Sequence, residues 1–165
     1  MDTLLTLNPW IVLWVSRLFL GITMVYYGQP KIENLTSNAK DFVGMGFRPG
    51  NFWGTIVAMV EFFGGLAVYF GFYAEVWALL FGFQMMVGTF WKLKLKKDFT
   101  EYSYDLQLLA LCLLIVTFGP GLFYVSRTPA ELTYLIRLDV LLIPLFFAFV
   151  LAYLPEIFGE RYKRW

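Results

Sequence analysis

The sequence predicts an all-α integral membrane protein: a four-helix transmembrane bundle followed by a fifth transmembrane helix. Three observations lead there. The 165-residue chain is 59% hydrophobic, 21% aromatic and 15% charged, more apolar surface than a soluble domain of this length can bury. Its apolar residues gather in runs of about 20, the length that crosses ~30 Å of hydrocarbon, with polar connections between them. One of these runs, Phe52 to Gly71, has a single carboxylate, Glu61, at its centre. An ionised acid at that depth is unfavourable unless it is paired, so Glu61 is where function is first sought.

Helix one is expected from about Pro9 to Gly28. Pro9 suits a first helical position, Trp10 and Trp14 suit one membrane interface, and Tyr26 and Tyr27 suit the other. No basic segment precedes this run and it continues past signal-peptide length, which predicts a retained helix. Its one charge, Arg17, shares a face with Gly21, Met24 and Gly28, a face turned toward other helices.

Residues 29–51 form a polar connection. Ser37 or Asn38 is expected to cap a short interfacial helix near 37–45, which Gly46, Pro49 and Gly50 then end. Helix two is the run around Glu61, with Gly54, Glu61, Gly65 and Val68 on one face. A tight turn over Gly71 to Glu75 leads into helix three, Glu75 to about Leu93, which has Gln84 at its middle. Lys92, Lys94, Lys96 and Lys97 follow, read as a topology signal and a contact for anionic lipid. Helix four is expected from Asp105 to about Tyr124, with Gly119-Pro120-Gly121 unwinding its last turn. The sequence thus divides into a bundle over 1–126 and a segment over 127–165. The second segment contains a helix at about 138–154, kinked at Pro144 and with a start as early as Pro129 left open, and a basic tail.

Of the twelve Lys and Arg residues outside helix one, ten fall in the 1–2 loop, the 3–4 loop and the C-terminal tail. The positive-inside bias places those segments in the cytoplasm and the N-terminus outside. The expected location is therefore a prokaryotic plasma membrane, crossed several times.

Absences narrow the chemistry. The chain has no histidine, which removes bis-His haem ligation and histidine metal sites. Its one cysteine, Cys112, lies in an apolar run, so no internal disulfide or CxxC motif can form. No haem or metal is expected, and the net charge of +1 gives no argument for a nucleic-acid partner. Lipid and other membrane subunits are the expected partners.

Arg17, Glu61 and Gln84 fall at similar depth on three successive helices. This predicts an Arg17–Glu61 pair with Gln84 beside it, facing a ligand or handling protons, or only fixing helix register. A second cluster is expected where Gln29 and Lys31 leave helix one and Tyr104 and Asp105 open helix four, with Lys31–Asp105 as a pair at the headgroup boundary. Tyr26, Tyr27 or Trp14 are positioned to stack on a planar ligand. The candidate catalytic residues are Glu61 and Arg17, and the candidate ligand contacts are Gln84, Lys31, Asp105 and Tyr27.

Four motifs occur in order: Gly28-Gln29-Pro30-Lys31 after the helix-one arginine, Gly46-Phe47-Arg48-Pro49, Glu61-Phe62-Phe63-Gly64-Gly65, and Gly119-Pro120-Gly121. Together, over about residues 10–126, they resemble the DoxX family of small membrane proteins. The resemblance implies a four-helix membrane bundle and motif residues Arg17, Lys31, Glu61, Gly65 and the Gly-Pro-Gly turn. It also implies an association with thiosulfate:quinone oxidoreductase or quinol-oxidase complexes, hence a quinone as cofactor. Relatives in the wider superfamily act as cargo receptors or assembly chaperones. The fifth helix and basic tail depart from the family pattern and suggest a docking surface. Two functions follow: a quinone-linked redox subunit, or a non-catalytic scaffold or accessory subunit of a larger membrane complex.

Overall fold

The computed structural model describes residues 8–136. The expected fifth helix, Pro144 and the basic tail lie outside the described residues. Apart from an isolated bridge between Phe72 and Ser126, the described regular structure is helical: α1 (Pro9–Glu33), α2 (Leu35–Gly44), α3 (Gly50–Phe70), α4 (Ala74–Lys94), α5 (Phe99–Phe118) and α6 (Ala130–Ile136). Four of these, α1, α3, α4 and α5, are long and apolar enough to cross a membrane.

The helix ends differ from expectation in ways that move the charges. Asn8 caps α1 by accepting a hydrogen bond from the Trp10 nitrogen, with Pro9 in the first turn. The helix then runs past Gly28 and through Pro30 to Glu33. Pro30 removes only one intrahelical bond, and the next turn still closes from Asn34 N–H to the Pro30 carbonyl. Asn34, and not Ser37 or Asn38, caps α2 through its side chain, which accepts from the Ser37 nitrogen. At its start, α5 takes in six residues ahead of Asp105, the polar stretch from Phe99 to Tyr104. Hydropathy marks where a helix becomes greasy, which is not where its backbone bonds begin. At its other end α5 stops at Phe118, because Gly119 and Gly121 adopt φ of 93° and 76°, which side-chain-bearing residues avoid. The chain beyond turns back to the α3–α4 turn, where Val125 N–H donates to Phe70 O and Ser126 N–H to Gly71 O.

Small residues set the packing. A methyl group on Gly28 would stand 2.6 Å from the Phe62 nitrogen, one on Gly21 2.7 Å from the Tyr69 nitrogen, and one on Gly65 2.8 Å from the Val25 nitrogen. Helices α1 and α3 therefore touch backbone to backbone, antiparallel, the packing that small residues permit inside a bilayer. Further along, Gly50 and Gly54 receive α2 at Ala39, and Asn38 Nδ2 donates to the Gly54 carbonyl at 2.6 Å. The core between α1, α3, α4 and α5 is built from Leu20, Met24, Val68, Ala78, Phe81, Leu108, Cys112 and Ile115.

Candidate functional site

The α1–α3 register decides which charges meet. Gly28 lies on the backbone of Glu61 and Phe62, and Gly21 on Tyr69. Arg17 is eleven residues before Gly28, about 16 Å at 1.5 Å per residue, so it stands level with the turn after α3 and not with Glu61. The predicted Arg17–Glu61 pair does not form. The expectation centred helix one near Leu18, whereas a helix running to Glu33 has its middle near Gly21 and its C-terminal turn beside Glu61.

Glu61 is paired with Lys31 instead. The lysine ammonium donates to both carboxylate oxygens, at 2.6 Å to Oε1 and 2.5 Å to Oε2. The Glu61 side chain is 6% exposed and that of Lys31 35%, so the acid is buried and its counter-ion reaches toward the bundle surface. The predicted Lys31–Asp105 pair is likewise replaced. Asp105, buried over Gly88 of α4, accepts from Lys92 at 2.7 Å, and the same ammonium donates to the Glu101 carbonyl at 3.0 Å. The added first turns of α5 bring Glu101 and Asp105 against the end of α4, a neighbour nearer than Lys31.

Between these ion pairs lie two tyrosines. The rings of Tyr27 on α1 and Tyr104 on α5 are tilted at 58° with centroids 5.4 Å apart. The Tyr104 hydroxyl interacts with those of Tyr27 and Thr23, and the Asp105 charge acts on it. Lys31 stands one helical turn beyond Tyr27, on the same face of α1. Lys31–Glu61, Tyr27–Tyr104 and Asp105–Lys92 thus cluster at the Lys92 end of the bundle, on α1, α3, α4 and α5. Gln84 shares a face of α4 with Trp77, Phe81 and Gly88, and its buried Oε1 has no hydrogen-bond partner among the described residues. No hydrogen bond joins it to Arg17 or Glu61 there.

Arg17 belongs to a second cluster at the opposite end. Its Nη2 donates to the Phe123 carbonyl at 2.9 Å, its Nη1 lies against Gly71, and the acid whose charge reaches it is Glu75. Glu75 is itself 1% exposed, accepts from Thr128 Oγ1 at 2.7 Å, and has Arg127 Nε at 4.0 Å. Sequence reading missed Glu75, Thr128 and Lys92. An acid in the first turn of an apolar helix was the available signal for Glu75, but one lysine among four gave none for Lys92.

The arrangement joins the motifs noted in the sequence: the Gly28 to Lys31 segment lies directly on the Glu61 to Gly65 segment, glycine to backbone and lysine to carboxylate. The DoxX family model matches residues 12–93, which include both. The chain belongs to the DoxX family. No curated protein and no solved structure matches it. In this DoxX protein the matched region covers α2 and α3 and nearly all of α1 and α4. It makes the chain an integral, multi-pass membrane protein. Asp105, Tyr104 and the Gly119-Pro120-Gly121 stop lie beyond the match, yet α5 packs them onto it.

Proposed function

We propose that this DoxX protein is the membrane subunit of a quinone- or quinol-linked redox complex, with Lys31–Glu61 as its proton-handling pair. The observation that supports this reading best is a carboxylate buried between membrane helices and held on both oxygens by a lysine that reaches the bundle surface. The residues suit a ring headgroup with oxygen at its edge. The Lys31 ammonium and the tyrosine hydroxyls are donors, and the rings of Tyr27 and Tyr104 offer flat apolar faces. A bound quinone would supply two-electron, two-proton chemistry, with electrons coming from a partner subunit. Glu61 is the group that can hold a proton at a carboxylate oxygen when Lys31 turns toward a ligand. Lys31 supplies positive charge and a route to the aqueous face. The lysine count makes that face cytoplasmic and leaves the N-terminus outside. Arg17 takes no part in proton transfer on this reading, since it lies at the far end of the bundle.

The test is purification in mild detergent with its native partners, followed by lipid extraction and quinone analysis. Quinone should co-purify, and Glu61→Gln should abolish quinol-dependent turnover while the complex still assembles. A wild-type preparation that retains no quinone and shows no quinone-dependent activity would refute the proposal.

One observation favours a second reading, a non-catalytic accessory subunit. Both buried acids at the Lys92 end are already neutralised within the chain, as a register-fixing network would require. On that reading Lys31→Met with Glu61→Met leaves both assembly and activity intact.

A further inference from the structure

The two sides of α1 are built differently. Toward α3 it presents Gly21 and Gly28, and the backbones touch along the seam. On the side of α5, Gly121, just past the end of that helix, packs on the main chain of Trp10 to Trp14. At the Lys92 end the same two helices meet through Tyr27 and Tyr104, ring against ring. The α1–α5 seam is thus closed by the Gly121 backbone at one end and by two aromatic side chains at the other.

Those side chains face the surroundings as well as each other: Tyr27 is 46% exposed and Tyr104 36%. Two buried acids lie close by, beside the apolar core residues Met24 and Leu108. Asp105, next to Tyr104 in the chain, turns inward at 7% exposure, and Lys31, one turn from Tyr27, leads to Glu61 at 5%. Hydroxyl-bearing rings between lipid and buried charges suit a molecule that is apolar along most of its length and carries oxygen on a ring.

We infer that Tyr27 and Tyr104 form a lateral gate through which a ring-headed, lipid-soluble ligand enters from the bilayer between α1 and α5. The ring packs against the two tyrosines, a ring oxygen accepts from their hydroxyls or from the Lys31 ammonium, and the tail stays in lipid. The inference rests on the quinone reading above and specifies where the headgroup enters and which residues select it.

The test uses the intact protein in native-lipid discs and a photoreactive azido-benzoquinone carrying a short isoprenoid tail. Label is expected on peptides containing Tyr27 and Tyr104. Tyr27→Ala with Tyr104→Ala should lower retained quinone about tenfold or more, the loss of two aromatic contacts. The Phe variants keep the rings and delete only hydroxyls, so the expected loss is about three- to tenfold, with thermal unfolding unchanged. These guard against misreading a misfolded alanine variant. If the quinone is bound but the label falls on α3–α4 or near Arg17, the gate is wrong and the quinone reading stands. The gate also falls, with that reading intact, if the Phe and Ala variants retain quinone like the wild type. If the wild type neither retains nor is labelled by the quinone, both are wrong. Phospholipid found in the seam in place of label overturns the assignment of the ligand.

Discussion

At the scale of single residues, Glu61 and Arg17 separate into different roles. Removing one partner of a buried ion pair leaves an uncompensated charge, whereas removing both leaves an apolar contact. Lys31→Met should therefore destabilise the protein by about 2–3 kcal/mol, below the usual 3–5 because the lysine is about a third exposed. Adding Glu61→Met should restore most of that loss. Thermal unfolding in one detergent checks this, and equal melting of all three proteins would show that the pair contributes nothing to stability. Arg17 presents opposing effects. Its bond to the Phe123 carbonyl is charge-assisted, but Nε and Nη1 are buried without hydrogen-bond partners among the described residues. Arg17→Met should thus change bundle stability by no more than about 1 kcal/mol, since about 1.5–3 kcal/mol of hydrogen bonding is lost against relief of a buried charge. It should still speed proteolysis in the segment after Gly121, where Phe123, Tyr124 and Val125 are exposed. A cleavage rate equal to wild type would refute that role.

At the scale of elements, the α1–α3 seam is the most demanding contact. Any Cβ at Gly65 meets the Val25 backbone, so Gly65→Val forces the helices apart and should cost about 3 kcal/mol, or prevent folding, by overpacking. Gly44 is the contrast. It ends α2, nothing lies within 4 Å of the space a methyl would fill, and Gly44→Ala should stabilise by up to about 1 kcal/mol through helix propensity. Unfolding midpoints of the two variants should move in opposite directions, and a shift of the same sign would contradict the seam. The glycine faces of α1 and α3 were legible because helical periodicity is local. The continuation of α1 through Pro30 was not, because proline ordinarily argues for an ending and tolerance of one lost bond depends on what surrounds the helix end.

For the whole molecule, the arrangement separates two polar clusters: the lysine-rich end with Lys31–Glu61 and Lys92–Asp105, and the Gly-Pro-Gly end with Arg17, Glu75 and Thr128. The proposed orientation puts the first in the cytoplasm. Cys112 is the single native cysteine and is buried, so Cys112→Ala gives a clean background. In intact cells, Phe123→Cys should react with a membrane-impermeant maleimide and Lys97→Cys should react only after lysis. The reverse pattern would invert the topology.

The sequence by itself determined the membrane class and the four spans covered by the described residues, and it singled out Glu61 and Lys31 as candidates and Gly119-Pro120-Gly121 as a break. Hydropathy, helical faces and punctuation by proline and glycine are properties of neighbouring residues, so one chain suffices to read them. Only the tertiary structure decided which charges pair. Arg17 and Glu61 each lie well inside an apolar run, and depth alone made them partners. Their separation is fixed by where Gly28 meets the backbone of Glu61 and Phe62, a contact between residues 33 positions apart. A shift of about four turns in that register exchanges Arg17 for Lys31 as the partner of Glu61.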